Sequence, residues 1–236
     1  MKDEDFLLVS RHMSGGDEGK AFLGLASIYH RGTEDIEKDS TKALHYFKKA
    51  GELGEGKGAF NAGAIYDENG NNDLALIWYK KAAACGNDDA MYNLGLMYAE
   101  GQGVPQDYSE SFYWYEKADR LGHIEATYNM GVMEKTTLNY DGALIKYKKA
   151  ALAGHDRAAY NAGVLYEQVF EDNKSAFLWY EKAANLGLPE GMFEIGKMYH
   201  QGVGVVANHE AAEIWLIKAY NLGNSSAKNY LIQNSG

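Results

Sequence analysis

The sequence predicts an all-α solenoid, about six helix hairpins stacked in series with a capping helix at each end. Two alternating motifs, a period of 32 to 36 residues, and columns of residues that agree only on a helical register carry that reading. The first motif is MYNLGLMY at residues 91 to 98. Near copies are FNAGAIY at 60, YNMGVME at 128, YNAGVLY at 160 and FEIGKMY at 193, with a weaker LGLASIY at 23. The second motif reads HYFKKAGELG, IWYKKAAACG, YWYEKADRLG, IKYKKAALAG, LWYEKAANLG and IWLIKAYNLG. Its Lys-Ala pair begins at Lys49, Lys81, Lys117, Lys149, Lys182 and Lys218, at intervals of 32, 36, 32, 33 and 36. A period in that range is the signature of a repeat array.

One copy of the first motif fits either a strand or a helix. Tyr92, Leu94, Leu96 and Tyr98 alternate with period 2, while Ala90, Leu94, Met97 and Tyr98 share a helix face. The other copies decide. A strand needs the column of Leu96 to stay apolar, yet it holds Ser27 and Lys197. A helix needs the columns of Ala90, Leu94, Met97 and Tyr98 to stay small or apolar. They do, with Glu134 as the one exception. The glycine column holds Gly63, Gly95, Gly131, Gly163 and Gly196, with Ala26 in the first copy. A glycine inside a helix costs about 1 kcal/mol against alanine. Close approach of the neighbouring hairpin is the expected reason for tolerating it.

The second motif is also helical. Ala75, Trp78, Tyr79, Ala82 and Cys85 form one expected buried stripe, ended by Gly86. The four tryptophans, Trp78, Trp114, Trp179 and Trp215, share one column, and Gly54, Gly86, Gly122, Gly154, Gly187 and Gly223 close the copies. Cys85 falls in a column of leucines and alanine, which reads as a buried structural thiol. In the fourth repeat Glu134 replaces a tyrosine and Lys146 a tryptophan. Two readings stand for these charges: a pair inside the hairpin, or two solvated groups at a loose edge. The stretch DFLLVSRHMSGG reads as an N-terminal cap within residues 1–19. Six repeats follow over 20–225, and SSAKNYLIQ opens a C-terminal cap over 226–236, making one domain.

Composition bounds the function. Apolar residues make up 46% and charged residues 24%, ordinary for a folded soluble chain, and two prolines suit uninterrupted helices. A net charge of −10 argues against nucleic acid and anionic lipid and favours a basic partner. A single cysteine excludes an internal disulfide, and the seven histidines lack metal-ligand spacing. Neither a signal peptide nor a membrane span opens the sequence. The cytoplasm is the expected compartment, or the periplasm if a leader has been removed. The glycine pairs of GQGV and GVGV follow no strand and precede no Gly-Lys-Ser, so they read as helix-connecting turns. No catalytic residues and no cofactor are expected.

The third repeat, DAMYNLGLMYAEGQGVPQDYSESFYWYEKADRLGH, resembles a Sel1-like repeat almost end to end, a relative of the tetratricopeptide repeats. The likeness extends over roughly residues 20 to 225. Repeats two, four and five lack the G-x-G-V connector seen at Gly101–Val104 and Gly202–Val205, a difference expected to move loops and leave the core. The resemblance implies a right-handed α-solenoid of Sel1-like hairpins acting as a non-catalytic protein-interaction scaffold, common in bacterial signalling and secretion-associated proteins. It also implies that first helices line the concave face. That places Phe60, Tyr92, Tyr128, Tyr160 and Phe193 in one ladder, Asn61, Asn93, Asn129 and Asn161 in a second, and Leu96, Val132 and Val164 beside them. These are the candidate contacts for a partner protein or peptide. The asparagines have a second reading, as bridges between adjacent helices. The expected role is a signalling or assembly adaptor, or an immunity-type inhibitor of a toxin or effector. The alternative is a hydrolase or small-ligand protein using the groove as a pocket.

Overall fold

The computed structural model describes Gly15 and residues 17–233, and these form thirteen α-helices with no strand among the described residues. The helical register of the first motif holds: Ala90, Leu94 and Met97 are buried, as are Ala158, Ala162 and Leu165. The chain divides into two compact units, residues 1–123 and 124–236. The first contains the hairpins α1 (Glu18–Arg31) with α2 (Ser40–Glu52), α3 (Gly56–Glu68) with α4 (Asn72–Ala84), and α5 (Asp88–Glu100) with α6 (Tyr108–Arg120). The second contains α7 (Ile124–Thr136) with α8 (Tyr140–Leu152), α9 (Asp156–Gln168) with α10 (Asn173–Asn185), and α11 (Pro189–Gln201) with α12 (His209–Asn221), followed by α13 (Ser225–Gln233). Within each unit a helix packs chiefly on its predecessor and successor in the chain. The residues read as an N-terminal cap fall almost wholly outside the described part.

Local chemistry sets the helix ends. Asp39, Asn71, Asn87, Asp172 and Asn208 each accept a hydrogen bond from a backbone N–H three residues on, occupying an otherwise unpaired donor of the first turn. The closing glycines Gly54, Gly86, Gly122, Gly154, Gly187 and Gly223 have φ between 81° and 102°, a region that L side chains enter only with strain.

The glycine inside each first helix has a different role from the expected one. A Cβ on Gly95 would lie 2.5 Å from Cδ1 and Cε1 of Tyr115, a residue of the same hairpin. The distances are 2.8 Å for Gly63 against Tyr79, 2.8 Å for Gly131 against Tyr147, and 2.6 Å for Gly163 against Tyr180. In the last full hairpin Gly196 faces Leu216 at 2.8 Å. The glycine is therefore a seat for a buried ring and lies within the hairpin. Close approach between hairpins happens elsewhere, at the Lys-Ala motif. A Cβ on Gly58 would lie 2.6 Å from the Ala50 Cβ, and one on Gly191 2.8 Å from the Ala183 Cβ. Only small side chains fit at that crossing.

Two further expectations change. Phe47, Tyr79, Tyr115, Tyr147, Tyr180 and Leu216 are the buried core of the second helices, one residue beyond the tryptophan column. Trp78 is buried, but Trp114, Trp179 and Trp215 are half-buried. Lysines cover part of them: Lys81 Nζ stands 4.2 Å from the Trp78 ring centroid, and Lys218 Nζ 4.2 Å from that of Trp215. Cys85 is exposed, as are Leu53, Leu121 and Leu222 in its column, because this position caps the helix where the stripe has turned away from the core. Glu134 is half-buried and its Oε2 accepts from Asn139 Nδ2 at 2.6 Å. Asn139 in turn caps α8 by accepting from Gly142 N. The carboxylate thus braces a helix start.

Two glycines make a matched test. Gly24 lies inside α1, exposed, with no atom within 4 Å of a built Cβ. Gly24→Ala should stabilise by up to about 1 kcal/mol through helix propensity. Gly95→Ala gains the same propensity but drives a methyl into a buried ring, and should destabilise by about 1–2 kcal/mol net. Urea denaturation of the two variants should show opposite signs.

Candidate partner-binding surface

All twelve residues of the expected ladders are half-buried: Phe60, Asn61, Tyr92, Asn93 and Leu96 in the first unit, and Tyr128, Asn129, Val132, Tyr160, Asn161, Val164 and Phe193 in the second. Within a hairpin the aromatic rung leans on the buried ring beneath it. Centroid distances are 5.8 Å for Phe60 and Tyr79, 5.8 Å for Tyr92 and Tyr115, 5.9 Å for Tyr128 and Tyr147, and 5.4 Å for Tyr160 and Tyr180. The interplanar angle is 38° in the first three of these pairs and 45° in the last. The outer ring is thereby fixed by the same residue that sits on the glycine.

The hydroxyls of the buried tyrosines tie helices together. Tyr79 donates to Asp67 Oδ2 at 3.3 Å, and the Asn93 amide of the next hairpin reaches the same hydroxyl. Burial, and then Asp67, hold that hydroxyl well above the usual phenol range. Tyr180 donates to Glu167 Oε2 at 2.7 Å, and burial followed by this bond raises its pKa as well. Tyr147 is raised by burial and then by Tyr128. These groups remain neutral donors at any physiological pH.

The asparagines have internal partners. Asn61 Nδ2 donates to Lys57 O at 2.7 Å, and Asn161 Nδ2 to the Tyr128 hydroxyl at 3.3 Å. In the corresponding column Glu194 pairs with Lys197 at 2.5 Å. Burial first, then the charges of Glu194, Glu190 and Glu167, raise the Tyr160 pKa.

Two histidines absent from the expected site complete the rungs. His155 stacks on Tyr128 at 4.3 Å with its side chain only 7% exposed. Its Nδ1 accepts from Ala158 N at 3.1 Å and caps α9, which leaves the proton on Nε2, 3.1 Å from Glu125 Oε2. His123 repeats part of the pattern, stacked on Tyr92 at 4.6 Å and 3.5 Å from Asp89. Both follow a closing glycine, in the column where Asn87 is a helix cap. That register was the available signal. Among the described residues no group of three or more His, Cys, Asp or Glu side chains is placed to hold a metal ion. No helix among them is long and apolar enough to cross a membrane.

The sequence profile of the Sel1 repeat matches residues 18–55, 60–87, 88–123, 156–188 and 189–224. The chain belongs to the Sel1 repeat family. Residues 124–155 lie between matched Sel1 repeats, and this is the hairpin in which Glu134 and Lys146 replace aromatic residues. Among solved structures the chain is similar to c5321, a protective antigen of uropathogenic Escherichia coli strains with an SLR fold. Identity is 30%, the TM-score is 0.88, and the match covers 97% of this chain and 52% of that one. It is also similar to a Sel1 repeat protein from Oxalobacter formigenes, 27% identical with a TM-score of 0.76, covering 91% of this chain and 65% of the other. A sequence relative is chitin synthase regulatory factor 3 of Schizosaccharomyces pombe, 38% identical over 61 residues, which is 26% of this chain and 6% of that protein. The chain therefore spans about half to two thirds of the structural relatives and a small fraction of the fungal one. Sel1 repeats are a fold typical of protein–protein interaction modules and generally non-catalytic.

The histidine cap can be tested alone. His155→Ala should cost about 1–2 kcal/mol by removing a cap and a stacked ring. His155→Asn should recover the capping part, since Asn87 performs that function in α5. Equilibrium urea unfolding separates the two: equal losses would exclude a capping role.

Proposed function

We propose that this protein is a non-catalytic interaction module whose first-helix faces bind another protein or peptide, a basic one. The observation that carries the reading is the repeated rung: an aromatic ring half-buried, seated on a buried tyrosine and therefore held rigidly before any partner arrives. Pre-positioned aromatics supply contact area at little entropic cost. Asn161 ties down the Tyr128 rung and Asn61 bonds its own helix, which leaves Tyr92 with Leu96 in the first unit, and Tyr128, Tyr160 and Phe193 with Val132 and Val164 in the second, as the apolar contacts. Charge supports a basic partner. Residues 89–124 carry six carboxylates against two basic side chains, and Glu167, Glu190 and Glu194 surround Tyr160. A relative named as a regulatory factor for an enzyme suits a module that acts through another protein. Adaptor and immunity-type inhibitor belong to this same reading, and the number of partners separates them: several bound weakly, or one bound tightly.

Affinity capture from the native host supplies the partner, and binding kinetics at two salt concentrations test the reading. Tyr128→Ala should speed dissociation by about tenfold with little change in association. Glu100→Lys together with Glu110→Lys should slow association at low salt and have little effect at high salt. Salt-independent association, with dissociation untouched by Tyr128→Ala, would remove the first-helix face from consideration.

A further inference from the structure

The second helices of the second unit carry an apolar row that is left exposed among the described residues. Ile145 in α8 is 66% exposed, Leu178 in α10 61%, and Ile214 in α12 49%. They occupy the same position of successive helices, directly before the tryptophan column. Each is the middle of a triplet at i, i+4 and i+8, which lies along one helix face over about 12 Å. In α8 the triplet is Asp141, Ile145, Lys149, and in α12 it is Glu210, Ile214, Lys218, all six exposed. The face therefore has an acidic row near the helix starts, an apolar row in the middle and a basic row near the helix ends. Helix dipoles account for the outer rows. They do not account for three large aliphatic side chains left in solvent between them.

We propose that this face binds a second copy of the chain. A two-fold axis lying in the contact plane along the apolar row turns the acidic row of one copy onto the basic row of the other. Asp141 then meets Lys149 of the partner, Glu210 meets Lys218 of the partner, and Ile145, Leu178 and Ile214 meet across the axis. Such a contact is self-complementary, as an isologous dimer requires. An axis at right angles, along the helices, would set like charges against each other and is disfavoured. Three rungs are a small interface, of the kind that weak, reversible contacts have. The middle rung departs from the pattern: Lys174 stands where an acid would, and in the dimer it faces Lys182 of the partner. This surface is separate from the first-helix face proposed above, and neither depends on the other.

Sedimentation equilibrium of the full chain, from about 1 to about 500 µM, tests the proposal. The wild type should show a concentration-dependent dimer. Leu178→Asp should leave a monomer throughout, with an unchanged far-UV circular dichroism spectrum because the site is exposed. Lys174→Glu should tighten the dimer by about three- to tenfold, since it converts a repulsive rung into an attractive one on both copies. A wild type monomeric over the whole range overturns the proposal. So does a dimer that survives Leu178→Asp, or one that Lys174→Glu fails to tighten.

Discussion

The contact on which four of the six hairpins depend is a tyrosine ring lying on a glycine. Tyr79, Tyr115, Tyr147 and Tyr180 are nearly inaccessible to solvent, and each lies where a Cβ on the facing glycine would have to be. The helix loses about 1 kcal/mol of propensity for the glycine. It gains the burial of an entire aromatic ring, roughly 1.5–3 kcal/mol for a large side chain. In the same register the first hairpin has Ala26 and Phe47, both buried, and the last has Gly196 facing Leu216. In the four hairpins between them the glycine–tyrosine pair is the repeated unit of packing.

The same ring carries the seam to the surface. Its edge supports the outer aromatic of the first helix; the hydroxyls of Tyr79 and Tyr180 reach a carboxylate of the first helix, and that of Tyr79 also an amide of the next hairpin. A rigid core contact is in this way converted into a rigid surface feature. Between hairpins the logic is simpler. Alanines and glycines of the Lys-Ala motif meet alanines and glycines at the start of the following helix, and any larger side chain would force the helices apart.

Repetition made most of this legible. Six aligned copies separated helix from strand at Leu96 and located the closing glycines, and every ladder residue occupies a half-buried position of a first helix. What the columns could not resolve was which of two adjacent aromatics is central. Trp78 and Tyr79 differ by 100° around the helix and both read as part of the buried stripe, yet the tyrosine column is buried throughout while Trp114, Trp179 and Trp215 of the tryptophan column are half-buried. The column of Cys85 misled for a related reason: leucine there reads as core, but the stripe has rotated off the seam by the last turn. Glu134 was visible as an exception, while its partner Asn139 was not, because a cap bond five residues away leaves no periodic trace. A search for metal-ligand spacing passes over His155, and its cap becomes evident only once its register with Asn87 is considered.

The central claim is that Gly95 is required by the Tyr115 ring, and a double-mutant cycle between the two tests it most directly. Tyr115→Ala alone should destabilise by about 3–5 kcal/mol. In that background Gly95→Ala should lose its cost and become neutral or slightly stabilising, giving a coupling of about 1–3 kcal/mol. If Gly95→Ala costs the same with and without the ring, the two residues act independently and the account of the hairpin is wrong.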